Sequence, residues 1–384
     1  MASRLALTLV LTLASALSGG AQQPSAPDVK SSIDRLGNFD YATRTVAARS
    51  IRRVPASEAV PALVQAVRNH PDQFVRYRAL VLVTAFNDRG TPDLMRSLFR
   101  DRNDRVREVA YRWFAAYPEP AMALALLTSL QTEQAEFVRP ALVSALAAIG
   151  NDPQVQRALV AEAGRGFDFF RIAVIEALGE RRAAYAVETI AAAAKGDGPI
   201  QDDAVLALGR IGGARATEAL ASLTPEGPEV TASLHAAQCL LGRDCAGRIK
   251  ALMDIATDPR ASSQAARAAI TALGAIAAKS EQSAVTELAG LARSSAPGLR
   301  DAAAVEFSTL AVRAPDAVLP WLDALDDEAA RESAYALLSD GFARLEDDFA
   351  KEQFFAAARA GYWKASEGSP ARTRIAALIE KLEF

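Results

Sequence analysis

The sequence predicts an all-α protein, a right-handed α-solenoid of about ten helix-turn-helix units with a helical C-terminal cap. Three observations carry this. A short arginine-centred motif recurs about every 32 residues. Large apolar residues keep a fixed helical offset from it. Alternating β-branched stretches, the mark of strands, are almost absent.

Taken in order, residues 1–21 read as a secretory signal peptide: a basic start (Met1–Arg4), an apolar run (Leu5–Leu17) and small residues (Ser18–Ala21). The run is short for a membrane span, and a retained anchor is the alternative. Residues 22–37 read as a polar, proline-containing leader, and 38–340 as the repeat array. An export signal places the mature chain in the periplasm or outside the cell, with no later membrane span. The formal net charge is −3, and −4 once Arg4 is removed, which does not suit nucleic acid. Residues 22–192 hold 22 basic and 19 acidic side chains, whereas 193–384 hold 20 and 27.

The motif appears as QFVRYRA (Gln73–Ala79), DRVREVA (Asp104–Ala110), EFVRPAL (Glu136–Leu142) and DFFRIAV (Asp168–Val174). Ten anchors fall at Arg44, Arg76, Arg107, Arg139, Arg171, Gln201, Leu234, Ala266, Arg300 and Arg331. Seven residues beyond them lie Ile51, Val83, Phe114, Leu146, Leu178, Leu208, Leu241, Leu273, Phe307 and Leu338. Three residues beyond, alanine fills eight of ten positions. Offsets of three and seven define one helix face. Gly179, Gly209, Gly242 and Gly274 follow at eight and read as helix stops. A second helical stretch precedes each anchor, such as Pro61–His70 or Ala284–Arg293. A single hairpin cannot bury both faces, so units must stack. Residues 341–384, rich in aromatics around Phe349–Trp363, read as the helical cap.

The pattern resembles the HEAT-like repeat family, in the short alanine-rich version of the PBS-lyase type. The residues carrying it are Asp104-Arg105-Val106-Arg107-Glu108-Val109-Ala110 and Ala204 with Ala207-Leu208-Gly209-Arg210-Ile211-Gly212. The resemblance covers about residues 38–340 and implies a binding scaffold. Tetratricopeptide repeats have a similar length, but their tryptophan, tyrosine and proline positions are missing.

Acids precede several anchors, giving pairs Asp72 and Arg76, Asp104 and Arg107, Glu136 and Arg139, Asp168 and Arg171, Glu328 and Arg331. An aspartate at a helix start caps free amides, and the arginine then reaches a neighbouring unit's acid. This is a structural ladder, which the resemblance also implies; an anion-binding row is the alternative. Gln201, Leu234 and Ala266 interrupt it.

Cys239 and Cys245, the only cysteines, flank a turn and suit a disulfide in an oxidising compartment. A loop so short adds about 1–2 kcal/mol. His235 with both cysteines and Asp244 is a thin soft-metal alternative. Histidines occur only at positions 70 and 235, and no nucleophile, phosphate or dinucleotide motif is present, so no catalytic residue, cofactor or metal is assigned. The candidate partner surface is Tyr77, Tyr111, Arg112, Trp113 and Tyr117, residue types that anchor interfaces. Rings filling gaps between units are the alternative. The expected function is a non-enzymatic exported scaffold for a protein or peptide. Rival readings are a HEAT-like lyase or accessory factor, and a metal or redox role at Cys239 and Cys245.

Overall fold

The computed structural model describes residues 28–382 apart from 87, 197, 199 and 346. The expected signal peptide, residues 1–21, lies outside the described residues. Those residues form α-helices and two short 3-10 turns, with no strand among them.

Helices come in pairs along the chain. The first two pairs are α1 (Val29–Arg35) with α2 (Tyr41–Arg52) and α3 (Ala56–Asn69) with α4 (Gln73–Ala85). Next come α5 (Thr91–Ser97) with α6 (Asp104–Ala116), and α7 (Ala123–Thr132) with α8 (Arg139–Ala148). The middle holds α9 (Pro153–Ala163) with α10 (Asp168–Glu180), and α11 (Val187–Ala194) with α12 (Gln201–Ile211). Then follow α13 (Gly213–Ala221) with α14 (Pro228–Leu240), and α15 (Cys245–Thr257) with α16 (Ser263–Ala277). The last pairs are α17 (Gln282–Leu291) with α18 (Pro297–Arg313), α19 (Pro315–Asp323) with α20 (Glu328–Arg344), and α21 (Asp348–Lys364) with α22 (Pro370–Leu382).

Every one of the ten anchors falls in the second helix of its pair. The residues seven beyond are fully buried except Leu241, which is part-buried. All eight alanines three beyond are buried as well. The second helices stack on one another along the array, from α6 on α8 to α14 on α16. This continuous layer is what makes the units a solenoid.

Two expectations are corrected at the N-terminus and along the stack. The leader ends in a helix: α1 is the first half of unit one, capped by Asp28, with Val29, Ile33 and Leu36 buried. Three glycines are not stops. Gly179, Gly209 and Gly274 lie inside helices, and at Gly179 and Gly209 the backbone of the neighbouring unit comes too close for a side chain. A Cβ on Gly209 would stand 2.4 Å from Ala237 Cα, and one on Gly179 2.9 Å from Ala207 Cα. Only Gly242 behaves as a stop, at φ +77°, and Gly212 at φ +70° ends α12 in the same way.

The chain also folds back on itself. Helix α21 packs against α4, and Phe349 joins the hydrophobic core of the N-terminal units. Across this seam Arg52 Nη2 meets Glu352 Oε2 at 2.5 Å, with side chains 9% and 1% exposed. Glu352 also accepts from Arg359 at 2.7 Å, and Arg112 meets Asp347 at 2.5 Å. A further pair, Arg313 with Glu176 at 2.7 Å, joins α18 to α10. No helix among the described residues is long and apolar enough to cross a membrane.

Candidate functional site

The anchor side chains serve the backbone first. Arg76 Nε donates to the Val67 carbonyl at 2.7 Å, Arg107 Nη1 to Asp101 at 2.8 Å, and Arg171 Nε to Ala163 at 3.1 Å. Gln201 Nε2 does the same to Ala194 at 3.1 Å, and Arg331 to Leu325. Each satisfies a free carbonyl near the C-terminal end of its own unit's first helix.

For three anchors, Arg76, Arg107 and Arg139, the charge also reaches the next unit, but to other acids than those paired in the sequence. Arg76 pairs with Asp101, Arg107 with Glu133 at 2.7 Å, and Arg139 with Glu162 at 3.4 Å. Asp72 instead accepts from the Phe74 amide at 2.7 Å as a helix cap. Asp104 is the first helical residue, and Asn103 is the cap. Asp168 pairs with Arg171 inside one helix. Asp327, not Glu328, caps α20, and Glu136 lies exposed. Burial works to raise the Glu133 carboxyl, but hydrogen bonds from Arg107 and the Ala135 amide outweigh it and hold it below the usual range.

The expected partner patch is mostly core. Tyr111 and Trp113 are 1% and 3% exposed, and Tyr77 is part-buried against the core. The Tyr111 ring packs on Phe99 at 5.0 Å, and its hydroxyl donates to the Phe99 carbonyl. Arg112 is held between Glu108 at 3.0 Å and Asp347 at 2.5 Å. Only Tyr117, 43% exposed and stacked on Trp113, faces water.

The exposed rings stand elsewhere, on the turns that start the second helices. Phe39, Phe74, Phe137, Phe167 and Phe169 are 99%, 54%, 42%, 84% and 62% exposed. Neighbouring turns touch one another, so these positions form one row. Asn103 Nδ2 donates to the Gln73 carbonyl at 3.1 Å, and the Arg105 guanidinium lies 5.0 Å from the Phe137 ring. Asp40, Asp72, Glu136 and Asp168 sit beside the rings in the chain. The signal was present in the sequence: phenylalanine stands two residues before Arg76, Arg139 and Arg171. The residue between ring and arginine, Val75, Val138 or Phe170, is the buried one.

A second charged region lies between α10, α12 and α18. Burial raises the Glu180 carboxyl, moves Asp203 up to about 6 and Glu306 up to about 7. Near Cys245, the His235 Nδ1 faces the Arg248 guanidinium at 3.1 Å, and burial with that charge lowers the His235 pKa. Cys239 and Cys245 have Cα atoms 4.3 Å apart, close enough for a disulfide. Among the described residues, no three of His, Cys, Asp and Glu stand close enough to hold a metal.

Comparison with known proteins bears on this geometry. Residues 29–112 match the family model described as HEAT repeats. No curated protein matches the chain. Among solved structures the chain is similar to Kap121p bound to Nup53p, at 15% identity and a TM-score of 0.37. That match covers 92% of this chain and 41% of the other, so this chain spans well under half of its length. It is similar to Kap95p with RanGDP at 12% identity and a TM-score of 0.34, covering 92% and 62% of the two chains. Human deoxyhypusine hydroxylase in complex with glycerol matches at 16% identity and a TM-score of 0.23, covering 74% and 96%. The family match spans α1 to α6, and the anchor register carries the same helical unit onward, so the described residues form an α-solenoid of HEAT-like repeats.

Proposed function

We propose that the chain is a non-enzymatic, exported scaffold that binds a protein or peptide partner on the solenoid surface. The observation that carries this reading is the row of exposed rings from Phe39 to Phe169. Large rings are left in water at four of the first five turns, and such apolar surface is where partners dock. Carboxylates accompany the rings, so the fitting segment presents apolar side chains flanked by basic ones. The partner surface therefore moves from Trp113 to the turn edge. Residues 1–21 direct export in this reading, and the Cys239–Cys245 disulfide forms in the compartment reached.

A photo-crosslinking residue at position 137, irradiated in the source's cells, tests the binding surface. A single covalent adduct is expected, lost when Phe74→Ser and Phe169→Ser are added while helicity is kept. Absence of an adduct, or one indifferent to both substitutions, overturns the surface. For export, the recovered protein should begin at Gln22; a chain still starting at Met1 contradicts cleavage.

A further inference from the structure

The seam between the chain's two ends holds a cavity of about 90 Å³. Its floor is apolar: Leu36 from the end of α1, Ala48 from α2, and Val81 and Leu82 from α4. Its mouth is bordered by Tyr41, 51% exposed. Five charged side chains line it: Arg44, Arg52, Arg78, Asp348 and Glu352. Both carboxylates are engaged. Glu352 accepts from Arg52 and Arg359, and Asp348 faces Lys351 at 3.5 Å.

Arg44 and Arg78 differ from Arg52. Neither has a carboxylate within ion-pair distance among the described residues. Arg44 Nη1 donates to the carbonyls of Asn38 and Phe39, at 2.9 and 2.7 Å, and Arg78 Nη1 to that of Leu36 at 2.6 Å. Such bonds fix the guanidinium groups, and the acids that act on them, Asp40 on Arg44 and Asp72 and Asp348 on Arg78, do so through space without a direct ion pair. Burial, and then the charge of Arg44, lower the Arg78 pKa and outweigh the opposite pull of Asp348 and Asp72. Two like charges are held at one cavity, each with donors left over.

We propose that this cavity binds a small organic carboxylate, its anionic group between Arg44 and Arg78 and its short apolar body on Leu36, Ala48, Val81 and Leu82. Guanidinium groups suit a carboxylate through paired, charge-assisted donors. An apolar cavity of about 150 Å³ accepts benzene, so the smaller space here suits a body of three or four carbons. Because α21 forms one wall, the ligand also bridges the two ends of the solenoid. The site adjoins the row of exposed phenylalanines, since Arg78 lies 5.7 Å from the Phe74 ring.

Calorimetric titration of the full chain with butyrate tests it, with butylamine and inorganic phosphate as comparison probes. Saturable butyrate binding is expected, with none for butylamine. Arg44→Gln and Arg78→Gln should each weaken butyrate at least about tenfold. Ala48→Leu, which fills the floor and leaves every charge in place, should abolish binding. Arg165→Gln, at an exposed arginine on another unit, should leave it unchanged. If Arg78→Gln does not fold, Arg44→Gln and Ala48→Leu decide the question. No saturable butyrate binding, butylamine binding equally well, phosphate binding more tightly, or wild-type affinity in well-folded Arg44→Gln and Ala48→Leu would each overturn the proposal.

Discussion

Replacing one glycine by alanine separates close packing from chain termination. Gly209 lies inside α12, and an added Cβ would meet Ala237 Cα at 2.4 Å and its Cβ at 2.7 Å. Both atoms belong to a helix held by its own neighbours, so the stack must open. Overpacking of this kind costs about 1–3 kcal/mol. Alanine also favours the helix over glycine by about 1 kcal/mol. Contact with backbone puts the steric cost at the upper end, for a net loss of about 1–2 kcal/mol. Gly290 in α17 is the control, because an added Cβ meets nothing within 4 Å. There the propensity gain stands alone, and Gly290→Ala should stabilise by up to about 1 kcal/mol. Urea denaturation followed by helical circular dichroism would read the two variants side by side. The midpoint should fall for Gly209→Ala and rise for Gly290→Ala. Equal stabilisation of both would refute the close-approach argument for the stacked second helices.

Other expectations concern the ladder, the charged region and the cysteines. Arg107→Ala strands Glu133, whose side chain is 3% exposed, and should cost about 3 kcal/mol or more in the same assay; a change within about 0.5 kcal/mol would contradict the ladder. Glu306 is raised by burial from 4.5 to about 7, so the fold favours its neutral form. That contribution is full below the unfolded value of 4.5 and is lost as pH rises through about 7. Glu306→Gln should therefore match wild type near the acid end and exceed it at about pH 8 by roughly 2 kcal/mol, after allowing for solvent at its exposed edge. A pH-independent difference would remove the buried-carboxyl argument. Peptide mass analysis without reductant should find Cys239 and Cys245 linked and lighter by both thiol hydrogens; two free thiols would contradict the disulfide.

The register was legible because every unit needs the same burial. Positions such as Ile51, Leu146 and Phe307 sit under the neighbouring pair and tolerate only apolar groups. The α1 helix was also legible in principle, since Val29, Ile33 and Leu36 follow helical spacing. The polar residues between them conceal a helix of only 7 residues. Gly179 and Gly209 resembled stops because their real constraint lies in another unit, on Ala207 and Ala237. Tyr111 and Trp113 resembled an interface because nothing local reveals that their rings turn into the core. The ladder acids Asp101, Glu133 and Glu162 lie 25, 26 and 23 residues beyond their arginines, a spacing set by helix lengths that vary between units. The seam is the least legible feature of all. Arg52 and Glu352 are 300 residues apart, and no local pattern links them.

Closure of the solenoid by α21 is the claim on which the cavity rests. Thr45 and Asp348 line the same cavity from opposite ends of the chain. With Cys239 and Cys245 both changed to serine, Thr45→Cys and Asp348→Cys leave the Arg52–Glu352 and Arg112–Asp347 pairs intact. A short bismaleimide should then join the two positions rapidly within one molecule, giving a linked peptide at high yield. Intact single adducts at both cysteines, with no intramolecular link, would show an open solenoid and contradict the account.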